Sequence, residues 1–215
     1  MAGGSEGASW TGSDPLPGDP LPILAAWLAE AFAAGLQTNP HAVALATVEP
    51  GGGPAARMVL CKEIDAARGR LSFYTHRDSA KGRALAARPE AALCFYFGPQ
   101  GRQARVVGPV LRASEAESDA YFASRPLEAR LGAWASRQSE PIASRDELDR
   151  RVREAAARYG DPVPRPPHWG GYVVVAASVE LWISGEARLH DRGRWIRELS
   201  RPDRPGPWRG ERLQP

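Results

Sequence analysis

The residues whose types and spacing could do chemistry are concentrated near the C-terminus, in the segment Trp182-Ile-Ser-Gly-Glu-Ala-Arg188-Leu-His190-Asp-Arg192. The Ser-Gly pair in this segment favours a tight turn. If the residues after the turn are extended, Arg188, His190 and Arg192 share one face of a strand, because side chains alternate with period two. Two guanidinium groups beside an imidazole could bind anions and handle protons. The same spacing is equally compatible with a charged edge strand that faces water.

Further anion-binding candidates occur earlier in the chain. The segment Ser79-Ala-Lys81-Gly82 opens a predicted helix, where free N–H groups, a hydroxyl and an ammonium could hold a phosphate. Tyr121 and Arg125 suggest a second anion site. Each pattern also has a structural interpretation, as a helix cap or as a solvated Arg at a helix end. Other polar candidates are the cations Arg57 and Lys62, at the ends of a predicted strand, and Gln138-Ser139, which suits the edge of a polar heterocycle.

Composition narrows the classes of function and partner. Of the 215 residues 43% are hydrophobic, and the net charge is only +3, which gives no reason to expect nucleic-acid binding. The sequence lacks a Ser–His–Asp spacing, a zinc motif, a Walker loop and a GxGxxG fingerprint. No apolar stretch approaches the roughly 20 residues of a membrane span, and no signal-peptide pattern is present. We therefore expect a cytoplasmic protein without a metal, nucleic-acid or membrane partner, in which Cys61 and Cys94 are reduced core residues.

The elements that must position these candidates are mostly strands. The predicted fold class is α+β, an antiparallel barrel with peripheral helices. Residues 1–19 are rich in Gly, Ser and Pro and are predicted to be disordered, and 20–215 are predicted to form one domain. Predicted helices begin near Pro20, at Ser79 and at the capping-box residues Ser114 and Ser144. Predicted strands cover 42–48, 56–64, 71–75, 91–97, 103–113 and 172–182.

Taken together, the motifs resemble those of the pyridoxine/pyridoxamine 5′-phosphate oxidase family. Any one of them is weak, but they occur in family order over most of the chain. The matching segments are Arg57-Met-Val-Leu, Phe73-Tyr-Thr75, Ser79-x-Lys81-Gly82, Arg102-Gln103, Tyr121-Phe-x-Ser-Arg125-Pro, Gly132-Ala-Trp-Ala-Ser-x-Gln138-Ser139, Gly170-Gly171, Arg188-Leu-His190-Asp-Arg192 and Arg212-Leu-x-Pro215.

The resemblance implies an FMN-binding split β-barrel that forms a homodimer, with FMN in clefts between the subunits. It implies oxidation of pyridoxamine or pyridoxine 5′-phosphate at C4′ to pyridoxal 5′-phosphate, with O2 reoxidising the flavin to give H2O2. Substrate phosphate would meet Lys62, Tyr121 and Arg125, while Arg188 and His190 would cover the substrate ring and act in catalysis. The implied FMN contacts are Arg57, Met58, Val59, Leu60, Lys62, Tyr74, Thr75, Lys81, Gln103, Gln138, Ser139, Trp182 and Arg192.

Two positions depart from the pattern of the resembled family. Family members often carry a cation where this chain has Ala80, and a serine where it has Ala129. Each change removes a phosphate partner without removing a group expected to do chemistry. The alternatives are a sister flavin oxidase acting on another substrate, such as a phenazine precursor, a non-catalytic flavin- or pyridoxal-phosphate-binding protein, and a nucleic-acid binder.

Overall fold

The computed structural model describes residues 10–12, 15–201 and 204–215. Five α-helices and twelve strands are assigned in this part of the chain. The helices are α1 (Leu21–Ala34), α2 (Ala80–Ala87), α3 (Glu115–Ala123), α4 (Leu127–Ala135) and α5 (Arg145–Tyr159). The strands are β1 (Ala42–Val48), β2 (Pro54–Leu60), β3 (Glu63–Asp65), β4 (Arg70–His76), β5 (Glu90–Phe97), β6 (Arg102–Arg112), β7 (Trp169–Val175), β8 (Ser178–Ile183), β9 (Asp191–Ile196), β10 (Leu199–Arg201), β11 (Arg204–Pro205) and β12 (Arg209–Leu213).

The main sheet is antiparallel and curls because β6 changes partners along its length. The sheet order is β12-β9-β8-β6-β5-β1-β2, and β7 bridges β6 and β4. The first half of β6 pairs with β8, and its last residues pair with β7. Gly108 lies at this change of partner, where an added Cβ would stand 1.8 Å from the Val175 carbonyl oxygen. The predicted antiparallel α+β barrel is confirmed.

The core lies between the curled sheet and α1. The buried face of α1 includes Leu21, Leu24 and Trp27. The Trp27 ring contacts the Phe97 ring of β5 edge-on, with 6.5 Å between the ring centres. Gly35 ends this helix in the left-handed conformation that the sequence predicts for a helix stop. None of the helices in the described part of the chain combines the length and the apolar character of a membrane span.

The prediction of disorder over residues 1–19 is wrong for the part of this segment that the structure describes. Trp10 is 3% exposed, and its ring meets Trp195 edge-on at 5.7 Å. The Trp195 indole in turn donates a hydrogen bond of 2.7 Å to the Pro17 carbonyl oxygen. A few apolar side chains docked on an existing core outweigh a local composition that is typical of disorder. Residues 1–9 and 13–14 of the prediction lie outside the described residues.

Two predicted strands, one predicted capping box and one predicted core cysteine differ in the structure. The predicted strand 56–64 is divided into β2 and β3, and the predicted strand 172–182 is divided into β7 and β8. Ser114 and Glu117 form the full capping box, whereas Ser144 only accepts from the Glu147 N–H. Cys61 is buried as predicted, and burial raises the pKa of its thiol to about 12, but Cys94 is only half-buried.

Candidate functional site

A cavity of about 620 Å³ brings together most of the residues predicted in the first two thirds of the chain. It lies where the end of β2, the end of β4 and the start of α2 meet α3 and α4. Its predicted members are Met58, Val59, Leu60, Lys62, Tyr74, Thr75, Lys81, Tyr121, Arg125 and Gln138. Its other lining residues, apart from Ala129, carried no predicted role: His76, Pro126, Gly132, Ala133, Ser136 and Trp169.

Lys81 is a buried cation surrounded by neutral oxygen atoms. It is 7% exposed, and its Nζ lies 2.8 Å from Gln138 Oε1 and 3.3 Å from Thr75 Oγ1. No carboxylate of the described residues forms an ion pair with it. Burial, followed by the charge of Arg57, lowers the pKa of Lys81 to about 8. A buried ammonium without an acidic partner fits an anion from outside the chain.

The start of α2 brings Lys81 to this end of the cavity, and serine hydroxyls cap its first N–H groups. Ser79 Oγ donates to the His76 carbonyl oxygen at 2.7 Å and accepts from the Gly82 N–H at 3.3 Å. Ser139 Oγ accepts from the Ala80 N–H at 3.2 Å. A Cβ at Gly82 would stand 2.0 Å from a backbone oxygen, so only glycine allows this close approach. The Lys81 ammonium and the positive end of α2 therefore lie close together, and the phosphate site at this helix start stays a prediction.

Arg57 lies close to Lys81 but does not line the cavity. Its Nη1 donates to Thr47 Oγ1 at 2.6 Å and to the Leu45 and Ala55 carbonyl oxygens. Its ion pair with Glu49 is long, at 3.5 Å. Arg57 is nevertheless close enough to depress the pKa of Lys81, so both cations contribute to the same positive region.

An aromatic wall carries a second unpaired cation. The Tyr74 ring stacks on Tyr121 at 4.1 Å and on Trp169 at 5.7 Å. The Arg125 guanidinium lies over Trp169 at 4.8 Å, and its Nη1 is buried with no hydrogen-bond partner among the residues that the structure describes. Lys62 completes this region, with its Nζ 5.9 Å from the Tyr121 ring centre. The wall offers flat apolar surface for a ring and free donors for a second anion.

Two histidines adjoin the cations and were missed by the sequence analysis. Burial and the neighbouring His168, Lys81 and Arg125 lower the pKa of His76 to about 4. His41 accepts from Lys62 Nζ at 3.2 Å, and burial followed by Lys62 lowers the pKa of His41. Neither histidine occurs in a recognisable motif, since only the folded chain brings them beside these cations.

A second cluster contains the predicted residues of the last strands. Gln103, Trp182 and Arg192 are paired in register across β6, β8 and β9. The His190 ring lies 4.5 Å from the Trp182 ring. None of these side chains lines the cavity, so one chain presents two separate groups of predicted site residues.

The expectation that Arg188, His190 and Arg192 share one face of a strand is wrong. Residues 186–188 form a tight turn in which Ala187 also has a positive φ, of 51°, and β9 begins only at Asp191. Arg188 is exposed, with a φ of 64°, in the left-handed region. His190 Nδ1 accepts from the Gly185 N–H at 3.1 Å, which closes the turn. The turn therefore separates Arg188 from the strand that carries Arg192.

Two family models match the chain and together cover both groups of residues. A model described as pyridoxamine 5′-phosphate oxidase matches residues 28–184. A model described as the pyridoxine 5′-phosphate oxidase C-terminal dimerisation region matches residues 169–215. The cavity falls within the first match, and the turn with its following strand falls within the second.

Two oxidases and one solved structure are similar to nearly the whole chain. A pyridoxine/pyridoxamine 5′-phosphate oxidase from Rubrobacter xylanophilus is 50% identical, over 97% of this chain and 91% of its own. One from Myxococcus xanthus is 47% identical, over 93% of each chain. Among solved structures, PhzG from Burkholderia lata, in complex with tetrahydrophenazine-1-carboxylic acid, has a TM-score of 0.84 at 32% identity, covering 94% of this chain and 95% of that one.

Proposed function

The chain belongs to the pyridoxamine 5′-phosphate oxidase family, and on that premise we propose that it oxidises pyridoxamine or pyridoxine 5′-phosphate at C4′ to pyridoxal 5′-phosphate. The observation that carries this proposal is a cavity lined by the buried Lys81 and the half-buried Arg125, two cations with no carboxylate partner among the described residues. Both the cofactor and the substrate bring a phosphate and a flat ring, which is what these cations and the aromatic wall accommodate.

The cofactor is FMN, and the residues at the start of α2 fit its phosphate. Lys81 would hold that phosphate at the positive end of α2, while Thr75 and Gln138 orient the Lys81 ammonium. When bound, FMN supplies the two-electron oxidation at C4′ and is reoxidised by O2, giving H2O2. The protein's own contribution is binding, orientation and exclusion of water from the cavity.

The substrate phosphate is assigned to the aromatic wall. Arg125, which lines the cavity and has no acidic partner among the described residues, would take it, and Lys62 and Tyr121 would flank it. His41, kept neutral, orients the Lys62 ammonium by accepting one of its protons. Two cations and a phenol give the charge-assisted contacts that a phosphate monoester requires.

A homodimer would complete the site, because one chain leaves the second cluster away from the cavity. The family model over residues 169–215 is a dimerisation region and supports this assembly. We assign Gln103, Trp182 and Arg192 of the partner subunit to the flavin, and Arg188 and His190 of the partner subunit to the substrate ring. Exposure of Arg188 on its turn suits a residue that meets its ligand across an interface.

The test is a visible spectrum of the purified protein under nitrogen. A flavin spectrum should bleach when pyridoxamine 5′-phosphate is added, and pyridoxal 5′-phosphate should appear in amounts equal to the flavin. Unphosphorylated pyridoxamine is the control and should bleach it far more slowly. A flavin that stays oxidised with both phosphorylated substrates would contradict the proposal.

A phenazine precursor is the second candidate substrate. The similarity to PhzG at a TM-score of 0.84 favours this substrate. Ala129 also favours it, because the serine often found at this position in the resembled family would offer a hydroxyl to a substrate phosphate. The unpartnered Arg125 Nη1 argues for the phosphorylated substrate instead. If a tetrahydrophenazine carboxylic acid bleaches the flavin absorbance faster than pyridoxamine 5′-phosphate does, the substrate is a phenazine precursor.

We expect Ala129→Ser to lower KM for pyridoxamine 5′-phosphate several-fold. Ala129 lines the cavity from the first turn of α4, and a neutral hydrogen bond contributes about 0.5–1.5 kcal/mol. Steady-state kinetics and an FMN titration of the apo-protein measure the two affinities separately. The FMN dissociation constant should stay unchanged; a shift in it, with KM constant, would place Ala129 at the cofactor.

We expect Arg188→Ala to lower kcat/KM at least tenfold, about 1.4 kcal/mol of transition-state stabilisation. The side chain is exposed, so the melting temperature and the FMN content should barely change. His190→Ala should cause a similar kinetic loss, but it also removes the acceptor of the Gly185 N–H and is the less clean variant. Loss of flavin from Arg188→Ala would contradict a role toward substrate.

A further inference from the structure

Glu180 is a buried carboxylate in the second cluster that the proposed function does not use. Its side chain is 6% exposed, on β8, two residues before Trp182. Oε1 accepts from Arg192 Nε at 3.0 Å and from Arg192 Nη2 at 2.7 Å. Oε2 accepts from Arg105 Nη2 at 2.6 Å. One buried carboxylate thus holds two guanidinium groups.

The strand register shows that Glu180 is directed toward Arg192. Glu180 is directly opposite Arg194 on β9, whereas Arg192 is opposite Trp182. Arg194 instead pairs with Glu211 on β12, its opposite residue on the other side. Glu180 therefore binds diagonally to Arg192, which is opposite Trp182. Arg194, which is directly opposite Glu180, pairs with Glu211 instead.

All three nitrogen atoms of the Arg192 guanidinium donate a hydrogen bond within the chain. Nε and Nη2 donate to Glu180, and Nη1 donates to the Gln214 carbonyl oxygen at 2.9 Å. An arginine has five N–H groups, so one on each terminal nitrogen stays available for a ligand. A guanidinium fixed in this way loses little further entropy when it binds.

The charges of this cluster keep Arg192 effective as a cation. A single carboxylate facing Arg192 would cancel its charge, but Arg105 supplies a second positive charge to the same carboxylate. The three side chains carry one net positive charge. Such a charge suits the electron-rich edge of a flavin, and charge near the ring tunes its electronics.

We propose that Glu180 is a positioning residue that fixes Arg192 for contact with the flavin bound by the partner subunit. This inference rests on the assignment of Arg192 to FMN in the proposed function. It does not depend on which substrate the enzyme oxidises, because the contact is to the cofactor.

The test is a fluorescence titration of apo-protein with FMN, with no substrate present. Glu180→Gln should raise the FMN dissociation constant about tenfold, equivalent to about 1.4 kcal/mol. Glu180→Asp keeps the charge with a shorter reach and should show a smaller rise. Glu211→Gln, which removes the acid from the Arg194 pair on the same face, is the matched control and should bind FMN like wild type.

A double-mutant cycle separates positioning from sheet stability. In an Arg192→Gln background, Glu180→Gln should cause no further loss of FMN affinity, because its effect passes through Arg192. Arg105→Gln should change FMN affinity less than Glu180→Gln. Far-UV circular dichroism and sedimentation show whether each variant is a folded dimer.

Three results would overturn the inference. They are wild-type FMN affinity in Glu180→Gln, additive losses in the double variant, and an equal loss in Glu211→Gln. Anaerobic bleaching of wild-type protein reports separately on the proposed function. Suppose that the double-mutant cycle shows the expected coupling in FMN affinity, but neither pyridoxamine nor pyridoxine 5′-phosphate bleaches the flavin. The proposed substrate would then be wrong, and the role of Glu180 would still hold.

Discussion

Arg125→Ala should lower kcat/KM for pyridoxamine 5′-phosphate by roughly a hundredfold or more, mostly through KM. The guanidinium lies over Trp169 at the edge of the cavity and has no acidic partner within the described part of the chain, so its charge is available for an anion. Each hydrogen bond to a charged group contributes about 1.5–3 kcal/mol, and an arginine can give a phosphate two of them. Steady-state kinetics measures the change, and FMN content should remain that of wild type.

Two further variants control the Arg125 result. Arg125→Lys keeps the charge but loses the planar fork and the stacking on Trp169, so it should recover only part of the activity. Arg130→Ala removes a nearby arginine that is paired with Asp161 and does not line the cavity, and its kinetics should match wild type. Equal losses in Arg125→Ala and Arg130→Ala would show that helix packing, and not phosphate contact, is being measured.

Lys81→Met should weaken FMN binding by roughly a hundredfold, since a charge-assisted contact in a buried site is lost. The apo-protein should nevertheless be at least as stable as wild type. Lys81 is 7% exposed, among neutral oxygens and with no acidic partner in the described chain, so its charge is costly until the phosphate arrives. FMN titration and thermal melting of the apo-protein measure the two effects. A less stable apo-variant would contradict this account.

The pH dependence of the apo-protein follows from the same lysine. Its pKa is lowered from the ordinary 10.5 to about 8, so between these values the unfolded chain binds more protons than the folded one. The contribution of Lys81 to stability therefore rises with pH across this window, while FMN affinity falls above about pH 8 as the ammonium is lost. Lys81→Met should remove both the rise in stability and the fall in FMN affinity with pH. If either pH dependence persists in that variant, it belongs to another titratable group.

The sequence by itself determined the antiparallel α+β architecture, most strands and the candidate residues. The small and β-branched residues at 42–48 predict β1 with the bounds that the structure has, and Gly35 predicts the end of α1. The cap at Ser79 is equally local, because a helix start needs only the residues of its first turn to satisfy its free donors. The ordered motifs supplied the family, since their order along the chain does not depend on any contact.

Only the tertiary structure decided which candidates meet. It places Lys81 in a buried site without an acid, docks Trp10 on Trp195, turns Arg188 away from β9 and gives Arg192 to Glu180 instead of to its own neighbours. It also divides the predicted residues between a cavity and a separate face of the sheet. Burial and strand register depend on residues far apart in the chain, and a pattern read over a few neighbouring positions contains neither of them.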